Sequence, residues 1–160
     1  MRVLFQLIED LSNGKVSFYT VKLGNSELTE FELFDEKDFS SHEKELELLY
    51  LAIDEMSHRG AKKYYFNNEG PAEYMPVVSA SIKQENNEDF GVRLYCIWLS
   101  QSVVILMNGG IKTKLKPEDC PNVSVHFSRA LKIARLIYKE IEIQGLNLNN
   151  SELEDLELDL

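Results

Sequence analysis

One basic segment stands out in a chain whose overall charge is acidic. The 160 residues carry a formal net charge of −10 at pH 7, yet residues 112–139 hold seven basic side chains against two acidic ones, a net of +5. Lys112, Lys114 and Lys116 alternate with other residues, so an extended backbone would point all three the same way. Such a row of cations either faces an anionic group such as phosphate or keeps a sheet edge soluble.

A second set of basic side chains follows on a predicted helix. Apolar residues at helical spacing over 123–143 predict a long C-terminal helix. Its cations lie three or four positions apart and form one stripe, Arg129, Lys132, Arg135 and Lys139. His126, near the start of this helix, is either a surface residue or a base. The stripe itself either contacts a polyanion or is the solvated face of an amphipathic helix.

An arginine and a tyrosine lie inside a predicted strand. Residues 91–100 and 102–108 are rich in β-branched and aromatic types, which favour strands. By alternation Arg93 and Tyr95 share one face, and the apolar residues between and after them take the other. We expect the apolar face to pack on a helix and Arg93 and Tyr95 to lie on the more open face. A tight turn between the strands would set Arg93 opposite Asn108, beside a corner at Asn-Gly-Gly.

The remaining strands are predicted from alternation and turn residues. Asn13-Gly14 is typical of a tight hairpin turn and joins strands at about 2–9 and 15–23. A further strand is predicted over 77–84, with a turn at 85–89 leading into the Arg93 strand.

Two helices are predicted between the first hairpin and these strands. The first covers 27–36 with Ser26 as its N-cap. The second begins with the capping-box spacing of Ser40 and Glu43 and ends at Gly60.

This order of elements predicts an α+β fold. Its antiparallel sheet would have about four to six strands, from the N-terminal hairpin and a central meander, with two N-terminal helices and one long C-terminal helix on one face. We expect a single domain over 1–145. Residues 146–160 form an acidic, Leu-rich tail that is either disordered or docked.

Several classes of protein are disfavoured. Apolar content of 44% with 28% charged residues is that of a globular chain, and no apolar run approaches the ~20 residues of a membrane-spanning helix. The N-terminus lacks a signal-peptide pattern. Cys96 and Cys120 indicate neither a metal site nor a disulfide framework, so we expect a cytoplasmic protein. There is no phosphate loop and no metal-ligand spacing, and we expect no cofactor.

The basic residues also carry a resemblance to a known family. The run Gly91-Val-Arg93-Leu-Tyr95, the apolar strand 103–107, and Gly110-Ile-Lys112-Thr113-Lys114 precede a proline and an Ala-rich basic helix. This pattern, over about residues 44–142, resembles the RelE/HigB-like toxins of toxin–antitoxin systems, and the phage-derived HigB-like branch most of all.

The resemblance implies a RelE-like fold and a metal-independent endoribonuclease, often acting on messenger RNA at the ribosome and neutralised by a cognate antitoxin protein. Arg93 would then hold the scissile phosphate, and Lys112 or Lys114 would add positive charge. Tyr95, Tyr138 or His126 would handle protons, and the choice among them stays open. The remaining cations would contact RNA: Lys116, Arg129, Lys132, Arg135 and Lys139.

The acidic charge of the chain leaves two further interpretations open. Either the acidic elements lie away from the basic surface, or residues 150–160 fold over it in the manner of an antitoxin peptide. The rival function is a non-catalytic protein-binding module on the same scaffold, whose acidic surface is the interaction site. Whether the chain forms a homo-oligomer is not determined by its sequence.

Overall fold

A seven-stranded mixed sheet with helices on both faces forms the framework of the protein. The computed structural model describes residues 1–68, 78–83, 89–145 and 151–160. In these ranges the strands are β1 (Arg2–Leu7), β2 (Ser17–Leu23), β3 (Phe66–Asn68), β4 (Val78–Ile82), β5 (Gly91–Ser100), β6 (Val103–Lys112) and β7 (Glu157–Asp159). The α-helices are α1 (Glu30–Asp35), α2 (Glu43–Arg59) and α3 (Ser124–Gln144). The chain is therefore α+β, as predicted.

The sheet is larger than expected and not wholly antiparallel. Its strand order is β3-β4-β5-β6-β2-β1-β7. All neighbours are antiparallel except β2 and β6, which run parallel with Ser17–Tyr19 beside Val103–Ile105. The prediction of an antiparallel sheet of four to six strands is wrong in these two respects. The first hairpin joins the meander through a parallel contact, and the C-terminal tail adds a strand outside β1.

Two apolar cores lie on opposite faces of this sheet. Odd-numbered side chains of β5 and β6, such as Ile97 and Ile105, pack with α3. Even-numbered side chains, such as Leu94 and Leu106, pack with α1 and α2. Each fully buried Leu or Ile contributes about 1.5–3 kcal/mol. The prediction that all helices lie on one face is therefore wrong, because both faces of the central strands are apolar.

The first hairpin forms with a connection different from the predicted one. β1 and β2 pair from Val3–Leu23 to Leu7–Tyr19, which confirms the two strands. The backbone at Gly14 does not adopt the positive φ of a tight type I′ turn. Instead the side-chain oxygen of Asn13 accepts the N–H groups of residues 15 and 16, and its amide donates to a carbonyl of α2 at 2.7 Å. Asn13 thus anchors a longer loop to α2.

The helix starts differ from the predicted caps, while one helix end agrees. α1 is capped by Thr29, not Ser26, in a capping box with Glu32. α2 is confirmed in extent, but a short 3-10 helix at Ser40–His42 precedes it and no side chain caps its first turn. It ends where predicted at Gly60, whose φ of 95° is readily adopted by glycine.

The Asn-Gly-Gly sequence lies inside a strand and does not form a corner. β6 continues through it to Lys112, and Arg93 pairs with Gly110 because irregularities in β5 shift the register. A Cβ atom on Gly109 would lie 1.7 Å from the carbonyl oxygen of Arg93, and one on Gly110 would lie 2.7 Å from the carbonyl oxygen of Asn122. The two glycines therefore permit close approach of backbone on both sides. The predicted turn at 85–89 falls largely outside the described residues.

The described part of the C-terminal tail is docked on the sheet. A 3-10 helix at Ser151–Asp155 leads into β7, which pairs with β1, and Leu153 and Leu158 are buried in the core beneath α3. Its ion pairs join Glu157 to Arg2 and Asp159 to the amino group of residue 1, both at 2.8 Å. These two tail carboxylates thus pair at the N-terminal end of the chain and not with the basic stripe.

Candidate functional site

The strand residues predicted to hold phosphate are buried. Arg93 is 1% exposed, and its guanidinium donates hydrogen bonds to the carbonyl oxygens of Val92 and Phe90. Tyr95 is fully buried, and its ring packs against Phe127 of α3 with centroids 5.9 Å apart. The expectation that Arg93 and Tyr95 occupy an open face is wrong, because α3 covers the face that carries Tyr95. Lys112, at 7% exposure, is buried as well.

The three alternating lysines do not form one row. β6 ends at Lys112, and the N–H of Thr113 lies 3.4 Å from the Cys120 sulfur, where the chain bends toward a 3-10 helix at 117–119. Lys114 and Lys116 are exposed beyond this bend. They are accessible to a polyanion, but they lie outside the extended geometry that would have aligned them with Lys112.

The basic stripe of α3 has an exposed part and a half-buried end. Lys132, Arg135 and Lys139 are exposed. Arg129 and His126, one and two turns nearer the N-terminus of the helix, are half-buried and line a cavity. The stripe therefore leads from open surface to this cavity.

This cavity has a volume of about 480 Å³ and lies between α1, the start of α3 and the ends of β2 and β6. We call it the α1–α3 cavity. Its apolar wall is made by Leu23, Leu28 and Leu33. Seven polar or charged residues line it. Asn25 and Ser26 belong to the loop after β2, and the other five are Glu30, Lys37, Asn108, His126 and Arg129. A few polar groups set in an apolar wall are typical of ligand sites.

The parallel pair of strands explains why α1 lies here. β2 and β6 pair over three residues only. Beyond them the Thr20 hydroxyl accepts the N–H of Phe31, and the Asn108 amide donates to Glu30 at 2.9 Å. Side chains of both strands therefore bind α1. The helix begins with Glu30, and Lys37 follows two residues after its end, so both side chains are held near α3. The carboxyl ends of neighbouring parallel strands are a common location for ligands.

Glu30 is a buried carboxylate at the centre of the cavity wall. The residue is 3% exposed. It accepts hydrogen bonds from Asn108 at 2.9 Å and from the guanidinium of Arg129 at 3.4 Å. A buried carboxylate is costly without such partners, so these two contacts make its charged form tolerable.

His126 and Lys37 form the second polar pair of the cavity. The Lys37 Nζ lies 3.1 Å from Nε2 of His126 and also donates to the carbonyl of Gly109. Burial and the cations Lys37 and Arg129 lower the pKa of His126 to about 4, so its ring is neutral at pH 7. Burial also lowers the pKa of Lys37, while the nearby Glu30 carboxylate opposes that shift.

The tautomer of the neutral ring follows from its partner. An ammonium group can only donate, so Nε2 of His126 accepts and the proton resides on Nδ1. Nδ1 is buried and has no hydrogen-bond partner among the described residues. The site thus offers an unprotonated imidazole nitrogen, two cations and a carboxylate, a set that can accept a proton and bind an anion.

Sequence reasoning identified two members of this site and missed three. His126 and Arg129 were candidates by residue type, whereas Glu30, Lys37 and Asn108 carried no local signal. Glu30 and Lys37 are two of many charged residues near α1, and Asn108 was assigned to a corner. Their proximity depends on contacts between residues more than 70 positions apart, such as Asn108 with Glu30.

Among the described residues no group of three His, Cys, Asp or Glu side chains is placed to hold a metal ion. Within the same ranges no helix is long and apolar enough to cross a membrane. Comparisons with family models, curated proteins and solved structures find no match to this chain.

Proposed function

We propose that the protein is an RNA-cleaving toxin component of the RelE/HigB-like type, with its chemistry in the α1–α3 cavity and not at Arg93. The observation that carries this proposal is the neutral His126 held between Lys37 and Arg129. These residues lie at the end of a stripe of exposed cations on α3. A base beside two cations, reached along a polyanion-binding surface, suits cleavage of a phosphodiester.

The proposed reaction is attack of the ribose 2′-oxygen on the adjacent phosphorus. The 2′-hydroxyl first takes the place of the Lys37 ammonium as the hydrogen-bond donor to Nε2 of His126. Nε2 then takes the proton of that hydroxyl. Lys37 and Arg129 stabilise the charge that develops on the phosphorane oxygens. The bond from phosphorus to the 5′-oxygen breaks, and Lys37 donates a proton to the leaving oxygen. The products are a 2′,3′-cyclic phosphate and a 5′-hydroxyl.

The exposed cations of α3 supply RNA affinity in this proposal. Lys132, Arg135 and Lys139 contact successive phosphates of a single strand, and Lys114 and Lys116 extend the same surface. Release of counterions makes such binding fall with salt, with a slope of about 0.7 per phosphate contact on a single strand. A cognate antitoxin would neutralise the toxin by covering this surface and the cavity, in the cytoplasm. The proposed chemistry uses no cofactor.

Expression in a bacterial host tests the proposal. The wild-type chain should arrest growth in the absence of an antitoxin, and His126→Gln should relieve the arrest. Substituting Lys132, Arg135 and Lys139 together by Gln should weaken RNA binding and lower its salt slope by about 2. Lys44→Gln removes an exposed cation on α2, away from the stripe, and should leave the growth arrest and the RNA binding unchanged. A harmless wild-type chain that cuts no RNA would refute the proposal.

A second candidate is the non-catalytic protein-binding module, with the acidic surface as its contact. The observation that favours it is the burial of Arg93, Tyr95 and Lys112 in a chain of net charge −10. This candidate requires that the wild-type chain neither arrests growth nor cleaves RNA. The growth assay above therefore separates the two functions.

A further inference from the structure

The buried carboxylate of Glu30 keeps unused acceptor capacity where it lines the α1–α3 cavity. Its Oε2 accepts from the Asn108 amide at 2.9 Å, and its Oε1 accepts from the Arg129 guanidinium at 3.4 Å. No third hydrogen bond reaches this carboxylate within the described ranges. A carboxylate offers about four lone-pair sites, two on each oxygen. Each oxygen of Glu30 therefore retains room for one more donor, and a ligand with two adjacent donors can use both.

The charges around the cavity select the kind of donor. Lys37 and Arg129 line it together with the single carboxylate of Glu30, and His126 is neutral. A ligand that approached Glu30 with an ammonium or guanidinium group would face two cations at close range. The two donors must therefore be uncharged N–H groups, while an anionic group elsewhere in the same ligand would meet Lys37 and Arg129.

The remaining wall suits a flat, weakly polar body. Leu23, Leu28 and Leu33 line the cavity beside the polar groups. Its volume of about 480 Å³ falls within the range of roughly 300–1,000 Å³ that is usual for small-molecule sites. The cavity can thus enclose a ring system whose donor edge points to Glu30.

Among the RNA bases, guanine has the matching edge. Single-stranded RNA presents the Watson–Crick edges of its bases to proteins. Guanine carries two neighbouring donors there, N1–H and the N2 amino group. Adenine and cytosine place an unprotonated ring nitrogen beside their amino group, and uracil has one N–H between two carbonyls. Each of these three would direct an acceptor at the carboxylate, which repels it.

We infer that the α1–α3 cavity binds the guanine base of single-stranded RNA, with Glu30 accepting hydrogen bonds from N1–H and the N2 amino group. The ribose of that guanosine presents its 2′-hydroxyl to His126, and its 3′-phosphate meets Lys37 and Arg129. Cleavage then follows on the 3′ side of guanosine. The inference rests on the proposed function, because RNA is the polymer that brings the base to the cavity.

Calorimetric titration of the full chain with nucleoside 3′-monophosphates tests the inference without any cleavage step. A bidentate contact discriminates against a wrong base by roughly 5–150-fold. We expect guanosine 3′-monophosphate to bind about tenfold or more tightly than the adenosine, cytidine and uridine compounds. Inosine 3′-monophosphate keeps N1–H but lacks the N2 amino group, so it should bind about three- to tenfold more weakly than the guanosine compound. Equal affinity for all five would show attraction of the phosphate only and would overturn the inference.

A matched pair of substitutions assigns the selectivity to Glu30. Glu30→Gln replaces one oxygen by an amino group, so the side chain can no longer accept both donors. The preference for guanosine over adenosine 3′-monophosphate should fall below about threefold. Glu36→Gln makes the same change at an exposed carboxylate at the end of α1, outside the cavity lining, and should keep the wild-type preference. The inosine comparison uses the wild-type chain, so it remains decisive if Glu30→Gln does not fold.

Glu30 can instead serve only to tie α1 to β6 and α3 through Asn108 and Arg129. That role predicts no preference among the nucleotides, which would overturn the inference. RNA cleavage by the wild-type chain without preference for guanosine would also overturn it, while leaving the proposed function intact. Guanine-selective binding by a chain that cuts no RNA would support the base contact and refute the proposed function.

Discussion

Replacing Arg129 by methionine removes the cation that Glu30 faces across 3.4 Å. At an effective dielectric constant of about 20 this attraction amounts to about 5 kcal/mol before desolvation. The Arg129 side chain is 34% exposed, so solvent screening reduces that value, and Asn108 continues to donate to Glu30. We therefore expect Arg129→Met to lower the free energy of unfolding by about 2–3 kcal/mol at pH 7, because it removes the ion-pair partner of a buried carboxylate and leaves Lys37 as the nearby cation.

Chemical denaturation, followed by far-UV circular dichroism, measures this loss. For a chain of this length each kcal/mol corresponds to about 2–4 °C in melting temperature, so the melt should fall by about 4–12 °C. Arg135→Met is the matched control, since Arg135 lies on the same helix, is exposed and has no ion pair among the described residues. It should change the stability by less than about 0.5 kcal/mol.

A double-mutant cycle isolates the interaction between the two charges. Glu30→Gln keeps an oxygen for Asn108 but removes the charge. Combined with Arg129→Met, it should restore part of the lost stability, with a coupling energy of about 1–2 kcal/mol. A coupling below about 0.5 kcal/mol, or equal effects of Arg129→Met and Arg135→Met, would refute the view that Glu30 depends on Arg129.

Three further predictions concern the strand, the tail and pH. Gly109→Ala should lower the free energy of unfolding by about 3 kcal/mol or more, because the added Cβ would lie 1.7 Å from a carbonyl oxygen of β5. Gly14→Ala has open space around the added Cβ and should change the stability little in the same denaturation experiment. Leu153→Ala should lower the free energy of unfolding by about 2–5 kcal/mol, because Leu153 is 1% exposed. Leu115→Ala, at an exposed position, should have little effect. Equal effects of the two substitutions would show that the tail is not docked. Because the pKa of His126 is lowered to about 4 in the folded chain, only the unfolded chain binds a proton at this residue between pH 6.5 and about 4. The free energy of unfolding should therefore fall as the pH drops through this window. Denaturation at a series of pH values measures this fall, and His126→Gln should make it shallower.

The sequence pattern predicted the separate elements well because their periodicity is local. β5 occupies residues 91–100 as expected, and α3 covers the predicted 123–143 within a residue at each end. The parallel contact of β2 with β6 was not predictable in this way, since no local pattern specifies which strands become neighbours. The Asn-Gly-Gly run illustrates the same limit, because its glycines serve close backbone contacts with β5 and with the loop before α3.

The site was predicted only where residue type was informative. Arg93 and Tyr95 were placed on an open face because their neighbours on the other face are apolar. The odd-numbered residues Ile97 and Leu99 are equally apolar, however, which is the pattern of a strand buried on both faces. His126 and Arg129 were identified as candidates. Their partners, Lys37 just after α1 and Glu30 in it, depend on long-range packing that periodicity does not report.

The most direct test of the central claim is single-turnover cleavage of an end-labelled single-stranded RNA by the purified wild-type chain and by His126→Gln. We predict products with 2′,3′-cyclic phosphate ends, a rate 10²–10⁴-fold lower for His126→Gln, and RNA affinity that differs by less than about twofold between the two proteins. Absence of cleavage by the wild-type chain, or equal rates for both proteins, would contradict the account.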